Sequence, residues 1–222
     1  MKKIIQLFTC VMPMLLKRPL LKIFFKYEID KTAYIGLSWV FPKKLVMGPN
    51  SFIGHFNTAV HLDEIVMDEE THIGRGNWIT GFTSGTDSKH FVHQPERKST
   101  LYIGSHSSIT KNHHIDCTSP IVIGKYVTIA GYSSQFITHS INVYDNRQDS
   151  KPITIGDYCF VGTNVVVLGG SSLPAYSVLG AKALLNKSFT EEWKLYGGNP
   201  AKLITDIKKD AKYFSRETGF VN

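Results

Sequence analysis

Between Ile155 and Leu185 a branched aliphatic residue returns every six positions, as Ile155, Val161, Val167, Leu173, Leu179 and Leu185. An α-helix cannot use that period, because at about 3.6 residues per turn successive members fall on different faces. Four positions after each of the first five stands a small or slim side chain: Cys159, Val165, Ser171, Ser177 and Ala183. Gly156, Gly162, Pro174 and Gly180 directly follow four of the aliphatics, and Leu168 is the exception. Three such units make one triangular turn of a parallel β-helix, each aliphatic stacking on its equivalent one coil along. The slim residue also turns inward, at a corner with no room for bulk.

The pattern runs back through the chain with interruptions. Ile123-Gly124 and Ile129-Ala130 open one coil, with Val127 and Ser133 expected in the slim slots. Ile103, Ile109 and Ile115 form another, with Ser107 in its first slot, and Met67, Ile73 and Ile79 a third. Met47 and Ile53 begin a fourth. The steps from 67 to 103 and from 123 to 155 exceed one coil, so chain must leave the solenoid near Ser84–Thr100 and Ser140–Pro152. Extruded loops on a solenoid are tolerated and often carry function.

On these repeats, on Thr138-His139 opening a loop, and on Gly197-Gly198-Asn199-Pro200-Ala201-Lys202, the chain resembles the hexapeptide-repeat acyltransferases. It is most similar to the branch that O-acetylates sugars, which includes maltose, galactoside and cell-surface polysaccharide acetyltransferases. The resemblance spans roughly Met47 to Ile204. It implies an all-β, left-handed parallel β-helix, a handedness that spacing alone does not give. A short N-terminal helical segment and a C-terminal tail complete the expected fold. The organisation expected is an extension over residues 1–30, a β-helix domain over 31–188, and a CoA-contacting segment and tail over 189–222.

Chemistry concentrates at the second loop. Acyl transfer to a hydroxyl needs a base to take the alcohol proton, and an imidazole with a pKa of about 6.5 suits the task. His139 stands at the loop mouth, and the resemblance implies that it acts by direct transfer with no acyl-enzyme. Eight other histidines compete. His114, one coil earlier beside His113, is the second candidate, as a substrate contact or orienting group. His90 and His93 lie in the first loop. Asp116 or Asp145 could orient the base, since an imidazole acting this way usually has an acceptor on its other nitrogen. Gly131 or a neighbour at that corner could supply a backbone N–H to the developing oxyanion. No G-x-S-x-G elbow exists for a serine nucleophile.

The resemblance further implies acetyl-CoA as co-substrate, lying along a groove between two solenoids of a homotrimer. Carried over by motif, Thr163, Gly180 and Ala181 at successive corners would meet the pantetheine arm. Asn186-Lys187 match a Thr-Lys pair near the phosphates, departing at Asn186, and five residues from Ser188 to Glu192 follow where the family has a short link. Lys202 matches a basic residue at the 3′-phosphate, where lysine is a compact cation. Asn142, Tyr144, Asp145, Asn146 and Arg147 could hydrogen-bond a glycan acceptor, and Tyr132, Trp78 or Trp39 could stack on a sugar ring.

A net charge of +7 suits an anionic ligand, and no nucleic-acid motif accompanies it. Cys10, Cys117 and Cys159 are odd in number and scattered, which points to a reduced, cytoplasmic compartment. Ile4–Leu16 is apolar and flanked by Lys2-Lys3 and Lys17-Arg18, too short to span a bilayer and without a cleavage site. Two compatible readings are a cap on the open end of the solenoid and, through residues 1–25, a peripheral contact with the inner face of the cytoplasmic membrane. An amino sugar nucleotide is the alternative acceptor. A γ-carbonic-anhydrase-like zinc protein is a competing class, but its paired histidines five residues apart have no match: positions 118 and 144 hold Thr118 and Tyr144. No metal is expected.

Overall fold

Stacked aliphatics at the predicted spacing build seven coils, each giving one strand to each of three parallel sheets. The computed structural model describes residues 2–219 and 221. The first sheet runs from Glu28–Ile29 to Ser172–Leu173, the second begins at Tyr34–Ile35, and the third runs from Trp39–Phe41 to Leu184–Leu185. Register is strict along each: Met47 pairs with Met67, Ile103 with Ile123, and Ile123 with Ile155. All of these side chains are buried. The ladder begins at Glu28, one coil ahead of the repeat at Met47 and inside the segment expected to be an extension.

The slim slots after the first sheet are filled by Ala33, Ser51, Thr71, Ser107, Val127, Cys159 and Ser177, all buried. After the second sheet the slots hold Ser38, Asn57, Asn77, His113, Ser134, Val165 and Ala183. The residue that turns inward in the fifth coil is Ser134, not the expected Ser133. One extra residue enters that corner, where Gly131 (φ +72°) and Ser133 (φ +57°) are both left-handed. Glycine is required there, because a Cβ on residue 131 would sit 2.3 Å from the Thr163 Cβ.

The polar members of this second column bond to one another through the core. Asn57 Oδ1 accepts the Asn77 N–H (2.9 Å), Asn77 Oδ1 accepts the His113 N–H (3.0 Å), and His113 Nδ1 accepts the Ser134 N–H (3.1 Å). His113 Nε2 then donates to Thr110 Oγ1 (3.0 Å), whose own hydrogen goes to the Gly131 carbonyl (2.7 Å). These partners hold His113 as one neutral tautomer, and burial pushes its pKa down to about 4. His113 is thus an inward core residue, whereas His114 points out.

Helices α1 (Lys2–Val11) and α2 (Met14–Phe25) cover the first coil. Its strands are sheet edges, so their outer carbonyls have no strand to pair with. Lys17, wholly buried, takes that place: its ammonium donates to the Ile35 carbonyl (3.0 Å) and the Gly36 carbonyl (2.7 Å). At the other end Lys194–Gly197 extends the second sheet and pairs antiparallel with Lys202–Asp206. The tail then doubles back over a corner where His106, Tyr126, Tyr158, Tyr176 and Trp193 stack in sequence. Arg216 seals it, its guanidinium 3.9 Å from the Tyr213 ring centre and bonded to the Tyr126 carbonyl.

Candidate active site

Two excursions leave the solenoid from the corner between the third and first sheets. Residues 81–99 follow Trp78–Thr80, and the hairpin His139–Asn142/Arg147–Ser150 follows Gln135–Ile137. Sheet register sets Asp116 beside Ile137, two residues short of His139. Buried Thr138 fixes the turn between them: its Oγ1 donates to the Asp116 carbonyl (2.8 Å) and accepts the Ser119 N–H (2.9 Å). The next residue is thereby folded back over the Asp116 carboxylate, and His139 Nδ1 lies 2.6 Å from Asp116 Oδ2.

The carboxylate is saturated. Oδ1 accepts the N–H (3.1 Å) and the hydroxyl (2.7 Å) of Thr118, and Oδ2 also accepts the His139 backbone N–H (3.2 Å). Burial works against the Asp116 charge, but the bonds from His139 and Thr118 outweigh it and hold the pKa below the usual carboxylate range. The hydrogen bond to Asp116 in turn raises the His139 pKa, against desolvation and the nearby Arg97 cation. An acceptor-only partner at Nδ1 places the neutral ring's proton there and leaves the Nε2 lone pair free. His139 is part exposed, so that nitrogen can reach a substrate.

The first excursion walls the site. Arg97 ties it to the solenoid through the carbonyls of Phe82 (2.5 Å) and Thr118 (2.6 Å), and its guanidinium lies 4.5 Å from the centre of the Phe91 ring. Phe91 stands edge-on to the His139 ring, centroids 6.3 Å apart. Gln94 fastens the base of the hairpin: Nε2 donates to Asp149 Oδ1 (2.7 Å) and the Ser150 carbonyl (2.9 Å), and Oε1 accepts the Ser150 hydroxyl (2.7 Å).

His139 opens into a cleft of about 490 Å³ whose walls include Tyr144 and Lys151 from the loop, Leu168 and Gly169 from the sixth coil, and Asn186 from the seventh. Two coils, roughly 10 Å, separate His139 from Asn186. Beyond Asn186 a second groove of about 320 Å³ holds Lys187 and Lys202 together, with Phe189 and Tyr196 between them. The insertion after Lys187 therefore leaves the two lysines on one groove.

Other expected residues are more scattered. His114 is exposed on the outer face of the third sheet, in register with Trp78 and Gln135, and does not line the cleft. Asp145 does not orient the base; it pairs with Arg147 (3.1 Å) and accepts from Asn142 Nδ2 (3.0 Å). Asn146 lines a neighbouring hollow with His90, His93 and Arg147. Thr163, Gly180 and Ala181 sit at the opposite corner, before the third-sheet strands rather than after them. Among the described residues the N–H groups of Thr163 and Ala181 have no acceptor. Gly131 is at that far corner too, and Gly169, which does line the cleft, gives its N–H to the Ile137 carbonyl (2.8 Å), so neither offers an oxyanion donor beside His139 within the chain. Among the described residues no three His, Cys, Asp or Glu side chains converge as a metal site.

Sequence reasoning missed Phe91, Gln94, Arg97 and Lys151. The first three lie in a loop with no repeat to assign their neighbours. Lys151 adjoins the Pro152 that bounds the second loop, a signal that it stands at the cleft edge.

No family model matches the chain. Among solved structures it is similar to a hexapeptide-repeat-containing acetyltransferase of Vibrio cholerae, complexed with acetyl coenzyme A. The two are 22% identical over 92% of this chain and 84% of that one, with a TM-score of 0.50. The polysialic acid O-acetyltransferase OatWY is 17% identical over 86% of this chain and 90% of its own, with a TM-score of 0.58. The N-acyltransferase AntD from Bacillus cereus, in complex with dTDP and coenzyme A, is 13% identical over 87% and 90%, with a TM-score of 0.53. What these likenesses show is the fold, the left-handed parallel β-helix.

Proposed function

We propose that the chain is an acetyl-CoA-dependent acyltransferase that O-acetylates a hydroxyl of a saccharide, with His139 as general base. One observation carries the reading: the 2.6 Å His139–Asp116 pair opens into a cleft that reaches Asn186, and the next residue, Lys187, lines a second groove with Lys202. In the proposed step His139 Nε2 takes the hydroxyl proton as the acceptor oxygen attacks the acetyl carbonyl. A C–O bond forms, the C–S bond breaks, and the imidazolium returns the proton to the departing thiolate. Asp116 holds the ring and stabilises its charged form. The exposed cations Lys187 and Lys202 in the second groove fit the phosphates of coenzyme A, which supplies the activated acetyl group.

The unspent N–H groups of Thr163 and Ala181 fit the amides of a pantetheine arm. They stand across the third sheet from His139, so a groove using both corners needs two copies side by side, which supports a homotrimer with sites between subunits. Polar Asn142, Tyr144 and Asn146 on the hairpin suit a hydroxylated acceptor, as does the fold shared with OatWY, a polysialic acid O-acetyltransferase. Free thiols, two of them buried, fit the cytoplasm, where acetyl-CoA is made.

Calorimetric titration with acetyl-CoA beside dephospho-CoA tests the donor. Binding that weakens without the 3′-phosphate in the wild type, and no longer distinguishes the two ligands in Lys202→Ala, is the expected result. No binding at millimolar ligand removes the reading. A thiol-release screen over neutral, acidic and amino sugars then identifies the acceptor, and preference for an amine would reassign the reaction to N-acylation.

A further inference from the structure

We propose that the N-terminal helical hairpin is a docking surface for an anionic lipid bilayer.

A helix that merely caps a solenoid buries one face and turns a polar one to water. Here the outward side is apolar. On α1, Ile4, Leu7, Phe8 and Val11 are 57–68% exposed at i, i+3, i+4 and i+7, and α2 adds Leu15 (81%) and Ile23 (69%). The inward side is already satisfied by Thr9, Lys17 and Leu21, so this stripe is surplus to capping.

Charge selects the occupant. Residues 1–27 hold Lys2, Lys3, Lys17, Arg18, Lys22 and Lys26, and the first acidic residue is Glu28. Six of the seven net positive charges therefore lie in this hairpin; the remaining chain has 19 basic against 18 acidic residues. Lys3, Lys22 and Lys26 are exposed on the same hairpin. Apolar side chains accompanied by an excess of exposed cations are the pattern of a helix lying in a negatively charged lipid interface. A second copy of the same surface would bring like charges together. Neither helix is long and apolar enough to cross a membrane.

The surface is also held ready. Lys17 bonds the edge carbonyls of Ile35 and Gly36, Arg18 donates to the Ala33 carbonyl (2.8 Å), and Tyr27 Oη donates to the Pro42 carbonyl (2.6 Å). Docking therefore needs no folding of the segment, and the ordering cost that weakens flexible lipid-binding tails is already met.

Co-sedimentation of the full chain with vesicles of phosphatidylcholine containing 30% phosphatidylglycerol, beside phosphatidylcholine alone, tests the assignment. Binding to the anionic vesicles, much weaker binding to the neutral ones, and release by high salt are expected. Leu7→Glu/Phe8→Glu, on the outward stripe, should lower partitioning at least about tenfold. Lys22→Glu/Lys26→Glu should lower it at least about fivefold per residue, and both variants should keep the wild-type melting temperature. If the first variant fails to fold, the second, which alters only exposed lysines, decides. Absent vesicle binding, equal binding to both lipids, or folded variants that bind as well as wild type would overturn the proposal. So would a variant that dissociates the oligomer in size-exclusion chromatography, since the stripe would then be a contact between copies.

Discussion

His113 and His139 carry the same ring in opposite surroundings. The first lies wholly inside a slot column with no charged partner, and its pKa is pushed to about 4; the second leans on a carboxylate and rises above the ordinary 6.5. For His113 the unfolded chain binds a proton between pH 6.5 and 4 that the folded chain refuses. Its contribution is therefore full above pH 6.5 and falls away as the pH drops through that window, on the order of 3 kcal/mol in all. His113→Asn should keep the column, since Asn57 and Asn77 occupy the same slot, at a packing cost of about 1–2 kcal/mol. It should flatten this part of the stability–pH curve measured by denaturant titration. A variant as pH-sensitive as wild type would show that the slope comes from elsewhere. For His139 the working form is neutral, so kcat/KM should rise with pH through a limb above 6.5. His139→Ala should lower transfer by about 10²–10⁴-fold with coenzyme A affinity nearly intact. Asp116→Asn removes the charge that favours the imidazolium, so it should move the limb to lower pH while reducing the rate. Loss of rate with the limb unmoved would reduce Asp116 to a purely structural role.

Among the elements, the coils were legible and the excursions were not, and the difference is periodicity. Ile155 to Leu185 announce their neighbours because each stacks on its equivalent one coil away. The same counting misplaces Ser133, because one added residue at Gly131 shifts the corner and the pattern has no means of marking which residue is extra. It also hides His113, since a slot defined by small size does not advertise an imidazole that fits only by bonding Asn77, Thr110 and Ser134. Asp116 and Asp145 could not be separated by sequence, because the choice depends on sheet register, which sets Asp116 beside Ile137. Residues 81–99 repeat nothing, so the packing of Phe91 and Arg97 around His139 had no signal. Capping was one of two readings of the N-terminal segment, and nothing in the sequence marked its fastening by Lys17. Lys17→Met keeps most of the side-chain volume and leaves the Ile35 and Gly36 carbonyls unpaired at the edge of the second sheet, at a cost of about 2 kcal/mol. The melting temperature should drop by roughly 4–8 °C for a chain of this size. An unchanged or higher value would mean that burying the ammonium costs as much as its bonds return.

At the scale of the whole molecule the two ends of the third sheet set the problem. His139, Asn186 and Lys187 follow one corner of the solenoid, while Thr163 and Ala181, with N–H groups unspent, line the other, where Lys202 pairs with Gly197. Each coil folds into a closed triangle, so no motion of one chain short of unfolding brings those corners together. A second solenoid set alongside does so directly, and a closed ring repeats that contact at every boundary. On the proposed trimer, a lesion at either corner disables a site for a different protomer. His139→Ala removes the base, and Ala181→Trp fills the exposed opposite corner; each alone should be nearly inactive. Refolded together in equal amounts, the two inactive proteins form mixed rings. A boundary then works when the protomer giving the base carries Ala181→Trp and its neighbour carries His139→Ala, which random mixing yields at about one boundary in four. Acyl-transfer activity near a quarter of wild type, appearing only after mixing, is the expected outcome. If a single chain held the entire site, every site in the mixture would keep one of the two lesions and the activity would stay at the level of the separate variants.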